Sequence, residues 1–461
     1  MESVSAEDQK RTTSEALLTE GSLWRSIWVM SWPLLITTVA GSIVGVVDVQ
    51  VAGFLGSDTQ AAVGLSEQVL FLFMIFIMSV SVGTTALVSR SFGAQNQDET
   101  VLATAQSLAL SLLIGIFLCL LSFLVAHLVL PFFTRAPAVV RNGQLYLGIF
   151  SLYLIPFSIT SILNASYRAI GDAKTPMLVV LVMTAISAAG DYLTVVGNWP
   201  VPGLGIRGIA LSALTGSSVA AGVAVWRLNR SVLKDSLERV LPLCWTTMMR
   251  VISVGVPSAF QRLSWALAVF VLFFVLSRCQ NPTQAIAAWT IGMRVEGLVF
   301  MPLMALSLAV SSIVGQNVGA RQIERAFRAG WHVTWIGVGL MCVLGAALFA
   351  FAEPLARLMS HDPRAVAYTA SYIRINAPGE PFLAIGMILT GAMQGAGDTR
   401  APMWISIFSN WLVRMPIAWL LAQPMGLGPS GVWLSMTTSI VVMAALVAWR
   451  FQSGSWVKVK V

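Results

Sequence analysis

The chain has 461 residues, of which 57% are hydrophobic and 10% charged, with a mean hydropathy of +0.80. Soluble domains carry about 25% charged residues, so a water-soluble globule is excluded and lipid is the natural solvent. The net charge of +8 reads as membrane topology rather than as affinity for nucleic acid.

The chain opens on a polar tail of mixed charge, residues 1–24, with no apolar core of a cleavable signal. The first span therefore acts as its own insertion signal. A bilayer-crossing helix needs about 20 apolar residues. Twelve such segments follow, near 25–55, 62–89, 101–129, 143–166, 175–197, 207–226, 247–277, 284–314, 329–352, 370–393, 401–423 and 429–450. Backbone groups in lipid must pair within their own segment, so these runs are helices. Barrel strands would be about ten residues long and alternating.

Six spans make an N-terminal bundle, 25–226, and six a C-terminal bundle, 247–450, with a tail at 451–461. A cytosolic linker, 227–246, joins them. Placing both termini inside puts most of the 28 Lys and Arg on the cytosolic side, as the positive-inside rule requires. The densest basic cluster is in the linker: Arg227, Arg230, Lys234 and Arg239. Leu233, Leu237 and Val240 share one helical face there, so an amphipathic helix on the cytosolic leaflet and a plain solvated linker both remain open. Cys119, Cys244, Cys279 and Cys342 lie far apart, as do His127, His332 and His361. They suggest neither a disulfide framework nor a metal site, and no cofactor is expected.

The chain is written twice. "ASYRAIGDAKTPM" returns as "GAMQGAGDTRAPM", setting Gly171, Asp172, Pro176 and Met177 opposite Gly397, Asp398, Pro402 and Met403, 226 positions on. Gly93-Ala94 faces Gly319-Ala320 at the same offset, Gly208 faces Gly431 at 223, and Pro33 faces Pro257 at 224. Each half holds an even number of spans, so both enter from one side. The expected fold is an all-α integral membrane protein. Its 12 transmembrane helices form two pseudo-symmetric six-helix bundles, a parallel repeat about an axis along the membrane normal. The Gly-Asp pairs end one helix and begin a tight turn, which marks them as hairpin residues rather than ligand contacts.

Several matched pieces carry a family resemblance: "VVDVQVAGFLG" in span 1, "SRSFGAQN" after span 2, "YRAIGDAKTPM" after span 4, "VGQNVGA" after span 8 and "MQGAGDTRAPM" after span 10. In this order and spacing the chain resembles the MATE (multidrug and toxic compound extrusion) family over nearly its whole length. The resemblance implies an antiporter, not an enzyme, that expels small organic compounds, cationic or amphipathic, driven by entry of H+ or Na+. It also implies alternating access, a multi-pass protein of the bacterial inner (plasma) membrane, lipids as its surroundings and a monomeric state. Some MATE branches (NorM-like) place acids in spans 7 and 10. Around those positions this chain has Trp265 and Leu383, which points to the branch coupling through its first half, DinF-like in the broad sense.

Asp48 lies in span 1 and Asp191 in span 5, each sixteen residues from the cytosolic start of its apolar run (32 to 48, 175 to 191). Both stand about 24 Å along helices of one direction, so they share a depth in the outer half of the membrane. Two carboxylates in a low-dielectric site cannot both ionise cheaply. Such a pair takes up a proton or holds Na+ through oxygen ligands, with Asn164, Ser187 and Thr184 as further oxygens. Ser187 stands where the family often has Asn. Pro33, fifteen residues before Asp48, removes one helical hydrogen bond, and the resemblance implies that span 1 bends there when the site changes state.

The second half does not repeat these acids: counting 224 from Asp48 gives Leu272, and 226 from Asp191 gives Ile417. It has its own charges in Arg262, Arg294, Glu296, Glu380 and Arg414. Glu380, Arg294 and Glu296 are candidates for a substrate cavity, although Glu380 could equally be interfacial and the whole set a structural ion network. Three other functions were weighed: a lipid-linked oligosaccharide flippase, favoured by the arginines and disfavoured by the aspartates; an intramembrane enzyme, for which no nucleophile or metal pair is present; and a passive channel, which needs no titratable acids on one bundle.

Overall fold

The computed structural model describes residues 18–128, 136–196 and 204–459. Residues 1–17, 129–135, 197–203, 460 and 461 lie outside the described residues. The described residues are mostly helical, with no strand among them, because a chain this apolar has no other way to satisfy its backbone in lipid.

The elements run α1 (Leu23–Phe54), α2 (Ser57–Gly93), α3 (Gln97–Leu128), α4 (Pro137–Ala169), α5 (Lys174–Asp191) with a π-helical turn (Tyr192–Val196), and α6 (Ile206–Leu228). The second half runs α7 (Trp245–Leu276), α8 (Pro282–Gly319), α9 (Ile323–Ala350), a short α10 (Ala352–Met359), α11 (Pro363–Asn376) and α12 (Glu380–Gly395). It closes with α13 (Arg400–Ile407), a second π-helical segment (Phe408–Arg414), α14 (Met415–Ala422) and α15 (Pro429–Gln452).

Eleven helical stretches among the described residues are long and apolar enough to cross a membrane. The tenth expected span is present but broken. Its "NAPGEP" stretch becomes a 3-10 turn, Ala377–Gly379, between α11 and α12. Pro378 has no N–H to continue the ladder and Pro381 is pre-set for the first turn of a new helix, so the interruption is written in the sequence. The linker forms no α-helix between Asn229 and Cys244; it holds only the 3-10 turn Lys234–Ser236. This corrects the option of an amphipathic helix on the leaflet. The linker instead docks on α3: Gln106 donates to the carbonyls of Arg239 (3.0 Å) and Pro242 (3.2 Å) and accepts from the Cys244 backbone at 2.7 Å.

The chain divides into two compact units, 1–256 and 257–461, so the boundary falls inside α7 at Pro257. Within the first unit α4 is central, packed on α2, α3 and α6, while α5 lies between α1 and α6. Within the second, α12 takes the central place, packed on α8, α9 and α15. The repeat seen in sequence is repeated in geometry. Gly171 and Gly397 turn with φ of +95° and +93°, a region that L side chains enter only with strain. Asp172 then caps the backbones of Lys174 and Thr175, both at 3.0 Å, and Asp398 caps Ala401 at 3.2 Å. Ser81 bonds Ser161 at 2.7 Å, and their counterparts 226 positions on, Ser307 and Met387, are joined at 3.1 Å.

Candidate functional site

Helix α5 is tied to α1 where the Thr184 hydroxyl donates to the Ala40 carbonyl at 3.2 Å. From that tie the two helices climb together. Asp48 is eight residues beyond Ala40 and Asp191 seven beyond Thr184, about 12 and 10.5 Å at 1.5 Å per residue. They arrive level, and their carboxyl groups adjoin within hydrogen-bonding reach. Asp48 is 5% exposed and Asp191 fully buried.

Asp191 faces Ser212 of α6, but that hydroxyl donates to the Gly208 carbonyl at 2.8 Å. The α5–α6 crossing is close because glycine stands on each side: a Cβ on Gly190 would meet the Ser212 hydroxyl at 2.7 Å, and one on Gly216 would strike Ser187. The Ser187 hydroxyl points into this crossing, toward the Ser212 carbonyl at 3.5 Å. Asn164 is buried on α4 and hydrogen-bonds neither aspartate. Of the five expected ion-site residues, then, the structure brings Asp48 and Asp191 together. Thr184 and Ser187 fasten α5 to its neighbours, and Asn164 is buried on α4 with its Oδ1 unpartnered among the described residues. Pro33 is buried inside α1, beside Met30 and Leu34.

Two further groups belong to the site. Glu67 of α2 stands in electrostatic contact with Asp48, and Tyr146 of α4, fully buried, with Asp48, Glu67 and Asp191. No basic side chain among the described residues pairs with these acids. Oδ1 of Asp48, both carboxylate oxygens of Asp191 and the Tyr146 hydroxyl are buried without a hydrogen-bond partner among the described residues. Carboxylates only accept, so each of these oxygens is open to a donor hydrogen or to a cation.

The second unit contains a different arrangement at a related place. Tyr372 is the repeat counterpart of Tyr146 (146 to 372, 226 positions) and is likewise fully buried. It adjoins Glu296 of α8, which is in electrostatic contact with Arg414; Glu380, 4% exposed at the first residue of α12, adjoins Glu296. Arg414 donates through Nε to Ser439 of α15 at 2.7 Å. Glu380 is therefore buried rather than interfacial. Arg294 points elsewhere, onto the exposed face of α8 with Thr290 and Leu298. The offset of 226 holds through span 5, from Lys174 and Arg400 to the helix ends Val196 and Ala422, and falls to 223 only in the loop that follows, so the position opposite Asp191 is Ile417, three residues beyond Arg414. Asp191 directly precedes one π-helical turn and Arg414 ends the other; such bulges recur at functional sites. Leu272, opposite Asp48, is ordinary core beside Val275 and Trp289.

The MatE family model matches residues 33–193 and again 257–420, more than two thirds of the chain and one match for each half of the repeat. The chain belongs to the MATE family. Among its relatives is a probable multidrug resistance protein NorM of Thermotoga maritima, 27% identical over 432 residues, covering 93% of this chain and 92% of that one. An uncharacterized transporter YisQ of Bacillus subtilis is 21% identical, covering 94% and 95%. A solved MOP superfamily transporter from Pyrococcus furiosus shares the fold with a TM-score of 0.89 at 21% identity, over 97% of this chain and 99% of that one. The expected closeness to a DinF-like branch finds no support in these relatives, since the Thermotoga protein carries the NorM name. The flippase alternative finds none either.

Sequence reading passed over two members of this MATE protein's acidic pocket. Glu67 was visible as an acid inside the span 62–89, and Tyr146 as one of a tyrosine pair at the repeat offset.

Proposed function

We propose that this MATE protein is a secondary antiporter that exports small organic compounds, cationic or amphipathic, in exchange for H+ or Na+ bound in its N-terminal unit. The observation that carries the reading is the adjoining pair Asp48 and Asp191, buried together with unfilled oxygens and no base beside them. Intramembrane acids are costly and mark ion paths. A cation between the two carboxylates relieves their repulsion, and a site that is stable only when occupied links its occupancy to a change of conformation. Pro33 gives α1 a place to bend on that change. Both termini lie in the cytoplasm of the bacterial plasma membrane, and a single chain suffices for transport.

The test is reconstitution into vesicles with a proton or a sodium gradient imposed separately, following efflux of ethidium. Wild type responds to one of the two gradients. Asp48→Asn and Asp191→Asn each lose the response. Undiminished gradient-driven efflux in both variants would reject the pair as the coupling site.

A further inference from the structure

Arg262 stands five residues beyond Pro257 in α7, well inside a span. The second unit surrounds it with an unusual combination of burial and isolation. Of its neighbours three or four residues away, Ser258, Ala259 and Ala266 are buried and Trp265 is exposed. The bulky exposed side chains Phe260, Leu267, Phe270 and Phe274 occupy the other side of the helix. Arg262 itself is half-buried.

Among the described residues the Arg262 guanidinium makes no hydrogen bond and no ion pair, lies over no aromatic ring, and has no carboxylate in electrostatic contact. The acids of its own unit are engaged elsewhere, Glu296 with Arg414 and Glu380 beside Glu296. The flanking polar groups are paired among themselves: Gln394 donates to Gln261 at 3.1 Å, and Trp411 donates to Ser264 at 2.8 Å. These bonds pin α7 to α12 and to the π-helical segment, so Arg262 is carried on a rigid element.

Arginine cannot shed its charge in a protein. An unpaired arginine at membrane depth is costly, and no fixed partner among the described residues offsets it here. Its planar fork matches a carboxylate with two parallel hydrogen bonds.

We propose that Arg262 receives the anionic group of the transported compound, so that the preferred cargo is a carboxylate-bearing amphiphile, zwitterionic where it also carries a cationic centre. This rests on the transport reading above and deepens it: ion coupling stays with Asp48 and Asp191, and selection of the cargo's anion lies with Arg262. A phospholipid phosphate offers similar chemistry, and the experiment separates the two sources.

The probes are rhodamine B, which carries a free carboxylate, and its ethyl ester, the same fluorophore without the anion. Equilibrium binding is followed by fluorescence anisotropy to the full chain in vesicles, with no ion gradient. Wild type binds the acid about tenfold more tightly than the ester, a difference of about 1.4 kcal/mol. Arg262→Gln binds both alike, having lost affinity for the acid alone, and Arg262→Lys keeps part of the preference. Equal weakening of both dyes in Arg262→Gln, or an unchanged preference, overturns the proposal. Measurements in phosphatidylcholine alone and with added phosphatidylglycerol test the lipid: a preference independent of phosphatidylglycerol supports the cargo, whereas one that vanishes on its addition assigns Arg262 to a headgroup and overturns the proposal. Because no gradient is applied, failure of ion coupling at Asp48 and Asp191 leaves this result standing, and failure here leaves the coupling result standing.

Discussion

Each half of the chain builds a polar pocket beside a buried tyrosine, and the two pockets solve the same problem in opposite ways. Around Tyr146 stand Asp48, Glu67 and Asp191, three acids without a base. Around Tyr372 stand Glu296, Glu380 and Arg414, two acids with an arginine among them. Duplication supplied both with similar helices, turns and a tyrosine. Their charges separate them: the first gathers only acids among the described residues and, under the proposed coupling, takes a mobile cation, while the second carries Arg414 within the fold. Symmetry of backbone therefore does not imply symmetry of function.

The sharpest test of that contrast compares neutral substitutions on the two sides. Asp48→Asn should lower gradient-driven efflux by about tenfold or more, the effect of about 1.4 kcal/mol or more in coupling. Glu380→Gln should leave it within about threefold, under 1 kcal/mol by the same conversion. Equal losses would mean that both pockets couple. Next in size is stability. Arg414→Gln leaves Glu296, half-buried, without its nearby positive charge, and removing that charge costs about 1 kcal/mol or more. Thermal unfolding in detergent should therefore show a drop, partly restored by adding Glu296→Gln; an unchanged transition would remove the claim that the second pocket is neutralised from within.

Smaller effects bear on what the halves still share. Gly171→Ala and Gly397→Ala should each cost about 1–2 kcal/mol, because each forces an alanine into the left-handed region, and the two losses should match. A large inequality in melting would show that the turns have diverged as the pockets have. Tyr146→Phe removes a hydroxyl with no fixed partner and should weaken cation binding by about 1 kcal/mol, some fivefold, with little change in stability. Calorimetric titration with Na+, and proton uptake in its absence, would measure this; Tyr372→Phe should leave both readings where they were.

Much of this was legible along the chain. Span lengths follow from bilayer thickness, so twelve segments could be counted without coordinates, and the prolines of "NAPGEP" marked the place where the tenth breaks. Asp48 and Asp191 could be set at one height from residue counts alone, since helical rise is constant. Counting could not show which charges the second half gathers: Arg414 lies three residues before Ile417, the position opposite Asp191, and its place near Glu296 depends on packing. The linker was ambiguous because its leucines fit both a helical face and a folded turn, and the choice depended on Gln106, more than a hundred residues away.

Composition, periodicity and repetition by themselves determined that the protein is helical, membrane-spanning and double, because lipid imposes length and hydrogen-bond closure on every segment separately. Tertiary packing alone decided which charges meet. Asp48 met an acid and Arg414 met Glu296, while Arg262, on the buried side of its helix, met none. The azimuth of a side chain depends on which neighbour its helix leans against, and that contact is made between segments remote in the chain.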